Sequence, residues 1–201
     1  MKFVAITLLL LTSIFLIACS ANQASNKISN SELENLASKY GGVYVFNQKF
    51  VEEIEKREAE RKELSKKMKG RDLGDGLYAV DPKPINEKLP QILSNGKPYF
   101  KGGTSSKISE SCYEEIYKFI GDENLKKYKP WIFSNLYYKD KDERIVQISC
   151  TVAYERVKTQ YGLFGDEAKG ISFKKNSFES LGGGNRFVLI NGKFERVSKD
   201  K

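Results

Sequence analysis

An alternation of apolar and polar residues in the C-terminal half constrains the fold of this chain more than any other feature. The apolar positions are Val146, Ile148, Cys150, Val152 and Tyr154. The polar positions between and after them are Gln147, Ser149, Thr151 and Glu155. Since successive side chains of a strand point to opposite faces, this run predicts a strand with one face in a core. Residues 131–138 predict a second strand, which the charged turn 139–142 joins to the first as an antiparallel hairpin.

The last residues of the chain predict another hairpin. Asn191-Gly192 separates the strand-like runs 186–190 and 193–197, and this dipeptide strongly favours a two-residue hairpin turn. A further strand is predicted at 170–175. With helices predicted ahead of these strands, the fold class is α+β. We expect N-terminal helices followed by an antiparallel sheet of four or five strands, covered by at least one helix.

Three helices are predicted ahead of the sheet. Ser31-x-x-Glu34 has the capping-box pattern and opens a helix that Gly41 closes. Ser111-x-x-Glu114 opens another in the same way. The longest helix covers about residues 48–68, where glutamates repeatedly precede lysine or arginine by one helical turn.

One face of the long helix carries an interrupted apolar stripe. Its apolar members are Phe50, Ile54, Leu64 and Met68. Arg57 and Arg61 lie between them on the same face. Two interpretations are open: the arginine stems lie on the domain with their charged heads in water, or the helix is a docking surface. Arg57 and Arg61 are therefore candidate partner-binding residues, although the first interpretation is favoured.

The N-terminus has the pattern of an export signal. Lys2 precedes an apolar run over residues 3–17, which is shorter than the roughly 20 residues that a membrane-spanning helix needs. Such a run is typical of the apolar part of a secretory signal peptide. It ends in Leu16-Ile17-Ala18-Cys19, which resembles the lipobox of bacterial lipoproteins. The alternative is an uncleaved N-terminal anchor with an incidental cysteine.

The lipobox resemblance implies how the chain is processed and organised. Residues 1–18 are the signal peptide, cleavage occurs before Cys19, and the Cys19 thiol carries diacylglycerol. Residues 19–31 are small and polar, as in a flexible tether, and 32–201 have a suitable length for a single domain. Each buried methylene of the acyl chains contributes about 0.8 kcal/mol, so the lipid anchors the protein to the membrane permanently.

The implied location is the cell envelope. In a Gram-negative cell, Ser20 after the lipidated cysteine, where Asp would signal retention, indicates the periplasmic face of the outer membrane. The net charge of +8 favours anionic neighbours in that compartment, such as lipid headgroups, glycan strands or an acidic protein. Export argues against nucleic acid as the partner.

Two cysteines follow Cys19, namely Cys112 and Cys150. An oxidising compartment favours their pairing, so a disulfide between them is predicted. The alternative is two unrelated buried thiols. Because Cys150 lies on the apolar side of the alternating strand, the disulfide would be part of the core.

The segment 126–131 combines cations with aromatic rings. Lys126, Lys127 and Trp131 are candidate residues for binding an anionic or glycan partner. The alternative is structural: the lysines lie at the C-terminus of a helix, where they face its dipole, and Trp131 begins a core strand.

The absence of histidine excludes histidine-dependent nucleophilic sites and most kinds of zinc site. Residues 94–97 and 172–175 fit the S-x-x-K pattern, but the other elements of that active site are missing. No catalytic residue, metal or cofactor is predicted. The expected function is a non-catalytic binding domain of the immunity, inhibitor or exclusion type. The alternatives are a structural or assembly component of an envelope machine and, less favoured, a peptidoglycan-acting enzyme with paired carboxylates.

Overall fold

A computed structural model describes residues 28–103, 105–166, 170–181 and 183–197. The predicted signal peptide, Cys19 and most of the predicted tether lie outside these ranges. The described residues form five helices. They are α1 (Asn30–Tyr40), α2 (Gln48–Lys66), α3 (Lys83–Lys88), α4 (Glu110–Ile120) and α5 (Asp122–Lys127).

Nine strands accompany these helices in the described part of the chain. They are β1 (Gly42–Val45), β2 (Arg71–Gly74), β3 (Leu77–Ala79), β4 (Tyr99–Lys101), β5 (Trp131–Lys139), β6 (Ile145–Asp166), β7 (Gly170–Leu181), β8 (Asn185–Ile190) and β9 (Lys193–Val197). Strands β2 and β3 form a separate two-stranded sheet. The other strands form one sheet of seven in the order β4-β5-β6-β1-β8-β9, with β7 paired to β6.

The α+β class and the largely antiparallel sheet are confirmed, but the predicted number of four or five strands is too small. All pairs of the large sheet are antiparallel except β1 with β8, which run parallel. Both predicted hairpins are present, as β5 with β6 and as β8 with β9. The predicted order of helices first and strands afterwards is not confirmed, since β1 precedes α2 along the chain.

Strand β1 is central to the sheet although the sequence analysis does not predict it. It pairs with β6 on one edge and with β8 on the other. Tyr44 lies opposite Cys150 of β6 on one side and opposite Phe187 of β8 on the other. A strand of four residues between a glycine pair and a helix N-cap is too short to show an alternating pattern. Its place in the sheet is decided by contacts with residues far along the chain.

Helices cover both faces of the sheet. On one face, Tyr44, Cys150 and Phe187 share a buried cluster with residues of α1 and α4, among them Leu36 and Ile116. On the opposite face, a second cluster joins the sheet to α2. Its buried members are Val45, Val51, Ile54, Leu93, Tyr99, Ile148 and Val188.

Because helices cover both faces of the sheet, the polar residues of the alternating strand do not lie on a solvent face. Gln147 and Ser149 are buried. The Gln147 Nε2 atom donates to Ser134 Oγ at 2.7 Å and to the Leu136 carbonyl at 3.1 Å. These bonds satisfy an amide that would otherwise be costly to bury.

Two helices begin earlier than their predicted capping boxes. Ser29 caps α1, where its Oγ accepts from the Glu32 amide at 3.2 Å and the Glu32 carboxylate accepts from the Ser29 amide at 3.3 Å. Ser109 caps α4 by accepting from the Cys112 amide at 3.3 Å. Each helix start offers two serines, Ser29 and Ser31 for α1 and Ser109 and Ser111 for α4. In both helices the earlier serine is the N-cap. Ile28 already packs against the core, so residues 28–31, assigned to the tether from sequence, are part of the folded structure.

After β7, the backbone at Gly183 passes very close to the backbone at the end of α1, where only a glycine fits. A Cβ atom on Gly183 would lie 2.1 Å from the Gly41 carbonyl oxygen and 2.2 Å from that of Ala37. No side chain fits at those distances. Asn185 holds the same crossing, since its Nδ2 atom donates to the carbonyls of Ser38 and Gly41 at 2.7 and 2.8 Å.

Candidate binding surfaces

The longest strand of the sheet continues well past its neighbours. β6 pairs with β5 as far as Ala153 and with β1 as far as Val152. From Tyr154 onwards it pairs with β7 alone among the described residues. We call the two-stranded part formed by 157–165 and 170–178 the ribbon. The sequence analysis predicts neither this extension of β6 nor the full length of β7.

The ribbon exposes large apolar side chains on both of its faces. Six of them are between 55% and 81% exposed: Val157, Tyr161, Leu163, Ile171, Phe173 and Phe178. Val157 pairs with Phe178 and shares its face, whereas Phe173 lies on the opposite face because it is an odd number of residues from Phe178. Contiguous exposed apolar surface of this kind marks interaction sites.

Lysines outnumber acidic residues over the segment 157–178, which contains the ribbon. Lys158, Lys174 and Lys175 are exposed, and Asp166, the partner of Gly170, directly follows the first stretch. At the base, Arg156 bonds Glu34 of α1 at 2.7 Å and Glu179 of β7 at 2.8 Å. The Arg156 guanidinium lowers the pKa of the Glu179 carboxyl. These bonds connect the base of the ribbon to α1 and to β7. None of them involves the outer part of the ribbon.

A second exposed surface surrounds Trp131, one of the residues predicted to bind a partner. Trp131 begins β5 and is 55% exposed. Tyr113 and Tyr117 stand one turn apart on α4 with ring centroids separated by 5.8 Å. The Lys129 Nζ atom lies 5.3 Å from the centroid of the Tyr117 ring. We call this group of three aromatic residues and Lys129 the aromatic surface.

Two open hollows flank the aromatic surface. The first, of about 530 Å³, is lined by Tyr113, Tyr117, Lys129, Pro130, Trp131 and Ile132. The second, of about 610 Å³, is lined by Ser105, Ser106, Lys107, Ile108, Tyr113, Trp131, Ile132 and Phe133. Since Tyr113, Trp131 and Ile132 belong to both linings, these three residues form the shared wall.

The disulfide helps to position this surface. Cys112 and Cys150 are joined by a disulfide, as predicted. Cys112 is the residue before Tyr113 on α4, and Cys150 lies in β6, the neighbour of β5. The bond therefore ties the helix that carries the two tyrosines to the sheet that carries Trp131.

The structure separates the predicted lysines from Trp131. Lys126 and Lys127 end α5, are exposed, and line neither hollow. Lys127 acts instead on Glu32, whose pKa is lowered mainly by hydrogen bonds from Ser29 and slightly by the Lys127 charge. Lys129 is the cation that lies among the aromatic rings. It belongs to the same segment, but only the three-dimensional arrangement distinguishes it from its neighbours.

Arg57 and Arg61, the other predicted partner-binding residues, contact their own chain. Arg57 Nη1 donates to the Pro90 carbonyl at 3.0 Å. Arg61 Nη1 donates to the Leu89 carbonyl, and its Nη2 donates to Asn86 Oδ1 at 2.7 Å. Both arginines thus bond the end of α3 and the residues after it. A role for them in binding a partner stays a prediction.

Glu58 on the same helix accepts several hydrogen bonds. Its carboxylate accepts from the Tyr99 hydroxyl at 2.6 Å, from Gln91 Nε2 at 2.9 Å and from the Lys101 ammonium. Burial on its own raises the pKa of Glu58, but the bonds from Lys101, Tyr99 and Gln91 outweigh it and lower the pKa to about 2. The network joins α2 to β4 and has a structural role.

A cleft of about 490 Å³ lies between α2 and the second face of the sheet. Several of its polar lining groups are already paired with one another, although Asn185 Oδ1 is buried without a hydrogen-bond partner among the described residues. Arg186 Nη1 lies 3.2 Å from Glu55 Oε1, and the side chains of Asn135 and Thr151 exchange hydrogen bonds at 2.7 and 2.9 Å. The cleft therefore offers few free polar groups to orient a ligand.

Comparisons with protein families, with curated proteins and with solved structures find no match for this chain.

No helix in the described ranges is long and apolar enough to cross a membrane. The same residues contain no group of three or more acidic or cysteine side chains that could hold a metal ion. The ribbon and the aromatic surface are therefore the two candidate binding surfaces in the described part of the chain.

Proposed function

We propose that this protein is a lipid-anchored lipoprotein of the bacterial envelope whose domain binds another protein without catalysis. The lipobox-like sequence ending at Cys19 supports the anchor. The ribbon carries the binding part of the proposal. Its exposed apolar side chains have no partner in the described structure, and burial at an interface would remove their surface from water.

The shape of the ribbon favours a protein that encloses it. Val157 and Phe178 lie on one face and Phe173 on the other, so a flat surface would cover only half of the apolar side chains. A cleft in a folded protein covers both faces. The free edges of β7 and of the outer part of β6 also offer unpaired backbone groups to a strand of the partner.

The lysines of the ribbon indicate which charge the rim of that cleft should carry. Lysines outnumber acidic residues in the segment 157–178, where Asp166 and Glu167 are the acidic residues. An apolar cleft edged with carboxylates would complement both the apolar side chains and the lysines. A toxin or hydrolase inhibited by insertion of the ribbon has this form, in keeping with a protein of the immunity, inhibitor or exclusion type.

Site-specific photocrosslinking in intact cells tests the proposal. A photoreactive amino acid replaces Phe173 or Phe178 in the full chain, and Lys193 at the exposed start of β9 is the control position. We expect one discrete protein adduct from each ribbon position, none from position 193, and loss of the adduct when Lys174 and Lys175 are changed to Glu. Adducts that are equally abundant at all three positions, or absent from the ribbon, would contradict the proposal.

A further inference from the structure

We infer that the aromatic surface is a second binding site, and that its ligand is a glycan chain bearing carboxylates. The inference rests on Trp131, Tyr113, Tyr117 and Lys129 and does not depend on the ribbon. These residues come from a helix, the start of a strand and the connection between them, so only the folded chain presents them together.

The aromatic rings supply the stacking part of the site. Trp131 is more than half exposed at the edge of the fold, and Tyr113 is exposed beside it. Large rings with an apolar face and a polar tip suit ligands that have the same dual character. A pyranose ring has an apolar face of C–H groups and a rim of hydroxyls, so it can stack on such a ring while its rim stays in water.

The charges around the rings specify the kind of glycan. Lys129 lines the first hollow and Lys107 the second. Among the described residues that line either hollow there is no Asp or Glu. A carboxylate on the sugar would therefore find a lysine in the lining of the hollow on either side of Trp131, and Glu110 and Glu114 of α4 line neither hollow.

The arrangement of the hollows favours a chain over a single sugar. The two hollows meet at Tyr113, Trp131 and Ile132, so a sugar stacked on the aromatic rings of this shared wall has its neighbours in the hollows on either side. Ser105 and Ser106 add hydroxyl groups to the second hollow. Hydroxyls and lysine ammonium groups can bond the hydroxyls and carboxylates of the adjoining sugars.

Trp131 also makes the test direct, because it is the single tryptophan of the chain. The full mature protein in detergent is titrated with peptidoglycan strands stripped of their peptides, in which each N-acetylmuramic acid carries a free lactyl carboxylate, while the emission of Trp131 is recorded. Chitin hexasaccharide serves as a neutral glycan with a similar backbone, and polyglutamate serves as an anionic polymer without sugars. We expect a saturable emission change with the peptidoglycan strands, weaker binding of the neutral glycan, and no saturable change with polyglutamate.

Variants separate stacking from charge. Lys129→Ala should weaken binding of the anionic strands about tenfold and leave binding of the neutral glycan nearly unchanged. Tyr113→Phe should preserve binding, whereas Tyr113→Ala should weaken binding of both glycans. Phe178→Ser in the ribbon should alter neither, which distinguishes this site from the proposed protein-binding site. Equal binding of polyglutamate, or no emission change with either glycan, would overturn the inference.

Discussion

Cys112 of α4 is bonded to Cys150 of β6, and both cysteines are completely buried. The bond connects the helix that carries Tyr113 to the strand beside β5, which carries Trp131. One covalent link therefore serves both the core and the aromatic surface. Its removal has consequences for stability and for binding.

Reduction of the disulfide should lower the melting temperature. The loop between the cysteines spans 38 residues, and closing a loop of that length stabilises the fold by about 4 kcal/mol on the chain-entropy model. For a chain of this size that corresponds to a shift of about 10 °C. Thermal unfolding followed by circular dichroism, with and without reductant, measures it. The Cys112→Ala/Cys150→Ala variant is the control and should not respond to reductant.

Arg61→Ala should destabilise the fold by about 1–2 kcal/mol, because the Leu89 carbonyl and the Asn86 side chain lose a charged donor. Lys62→Ala, at an exposed position of the same helix, should have almost no effect. Urea unfolding measures both variants. Unchanged stability of Arg61→Ala, combined with loss of a crosslinked partner, would instead identify this helix as a docking surface.

Glu58 should make stability depend on pH in the acidic range. Its pKa is about 2 in the folded state and near 4.3 in an unfolded chain. A carboxyl whose pKa is lower when folded stabilises the protein above the unfolded value, and that contribution is lost as the pH falls from about 4.3 towards 2.

The Glu58→Gln variant isolates this contribution. It should be less stable than the wild type at pH 7 by about 1–2 kcal/mol, a value reduced because Lys101 is exposed. The difference should shrink as the pH approaches 2. Urea unfolding at a series of pH values measures it, with Glu60→Gln at an exposed position of α2 as the control. A difference that stays constant with pH would show that the carboxylate charge does not stabilise this network.

Gly183→Ala should be strongly destabilising, by about 2 kcal/mol or more, since the new methyl group collides with two carbonyl oxygens. Gly103→Ala is the matched control, because a Cβ atom there meets no atom within 4 Å. Thermal unfolding of the two variants should differ clearly. Equal melting temperatures would show that the backbones of Gly41 and Gly183 can separate at little cost.

Local patterns account for the parts of the fold that the sequence analysis predicts correctly. Asn191 and Gly192 both have positive φ, 50° and 75°, as the predicted hairpin turn between β8 and β9 requires. The strand at 146–154 and its partner at 131–138 are present because alternation over that length specifies a strand. The predicted common face is correct for Cys150, Val152 and Tyr154 but wrong for Ile148, which packs in the cluster on the α2 side, next to an irregularity in the pairing of β5 with β6.

Contacts between distant residues decide the parts that the sequence analysis misses. β1 is too short to show a pattern, and its pairing with β8 depends on the crossing of Gly41 and Gly183. The strand predicted at 170–175 is present as the first part of β7. The rest of the ribbon is missed, because a buried face is what makes a strand recognisable in a sequence, whereas Val157 and Phe178 are exposed. Trp131 is predicted as a candidate from its segment. Tyr113 and Tyr117 lie in the helix predicted after Ser111, but they are not predicted as binding residues, because their approach to Trp131 depends on packing.

The chemical state of Cys19 tests the central claim that this protein is an anchored lipoprotein. The full precursor is expressed in a bacterial host, extracted from membranes and analysed by intact mass spectrometry. We predict a chain that begins at Cys19 and carries at least the added mass of diacylglycerol, while Cys19→Ser remains at the length of the precursor. A membrane-bound chain that still contains residues 1–18 with an unmodified Cys19 would contradict the account.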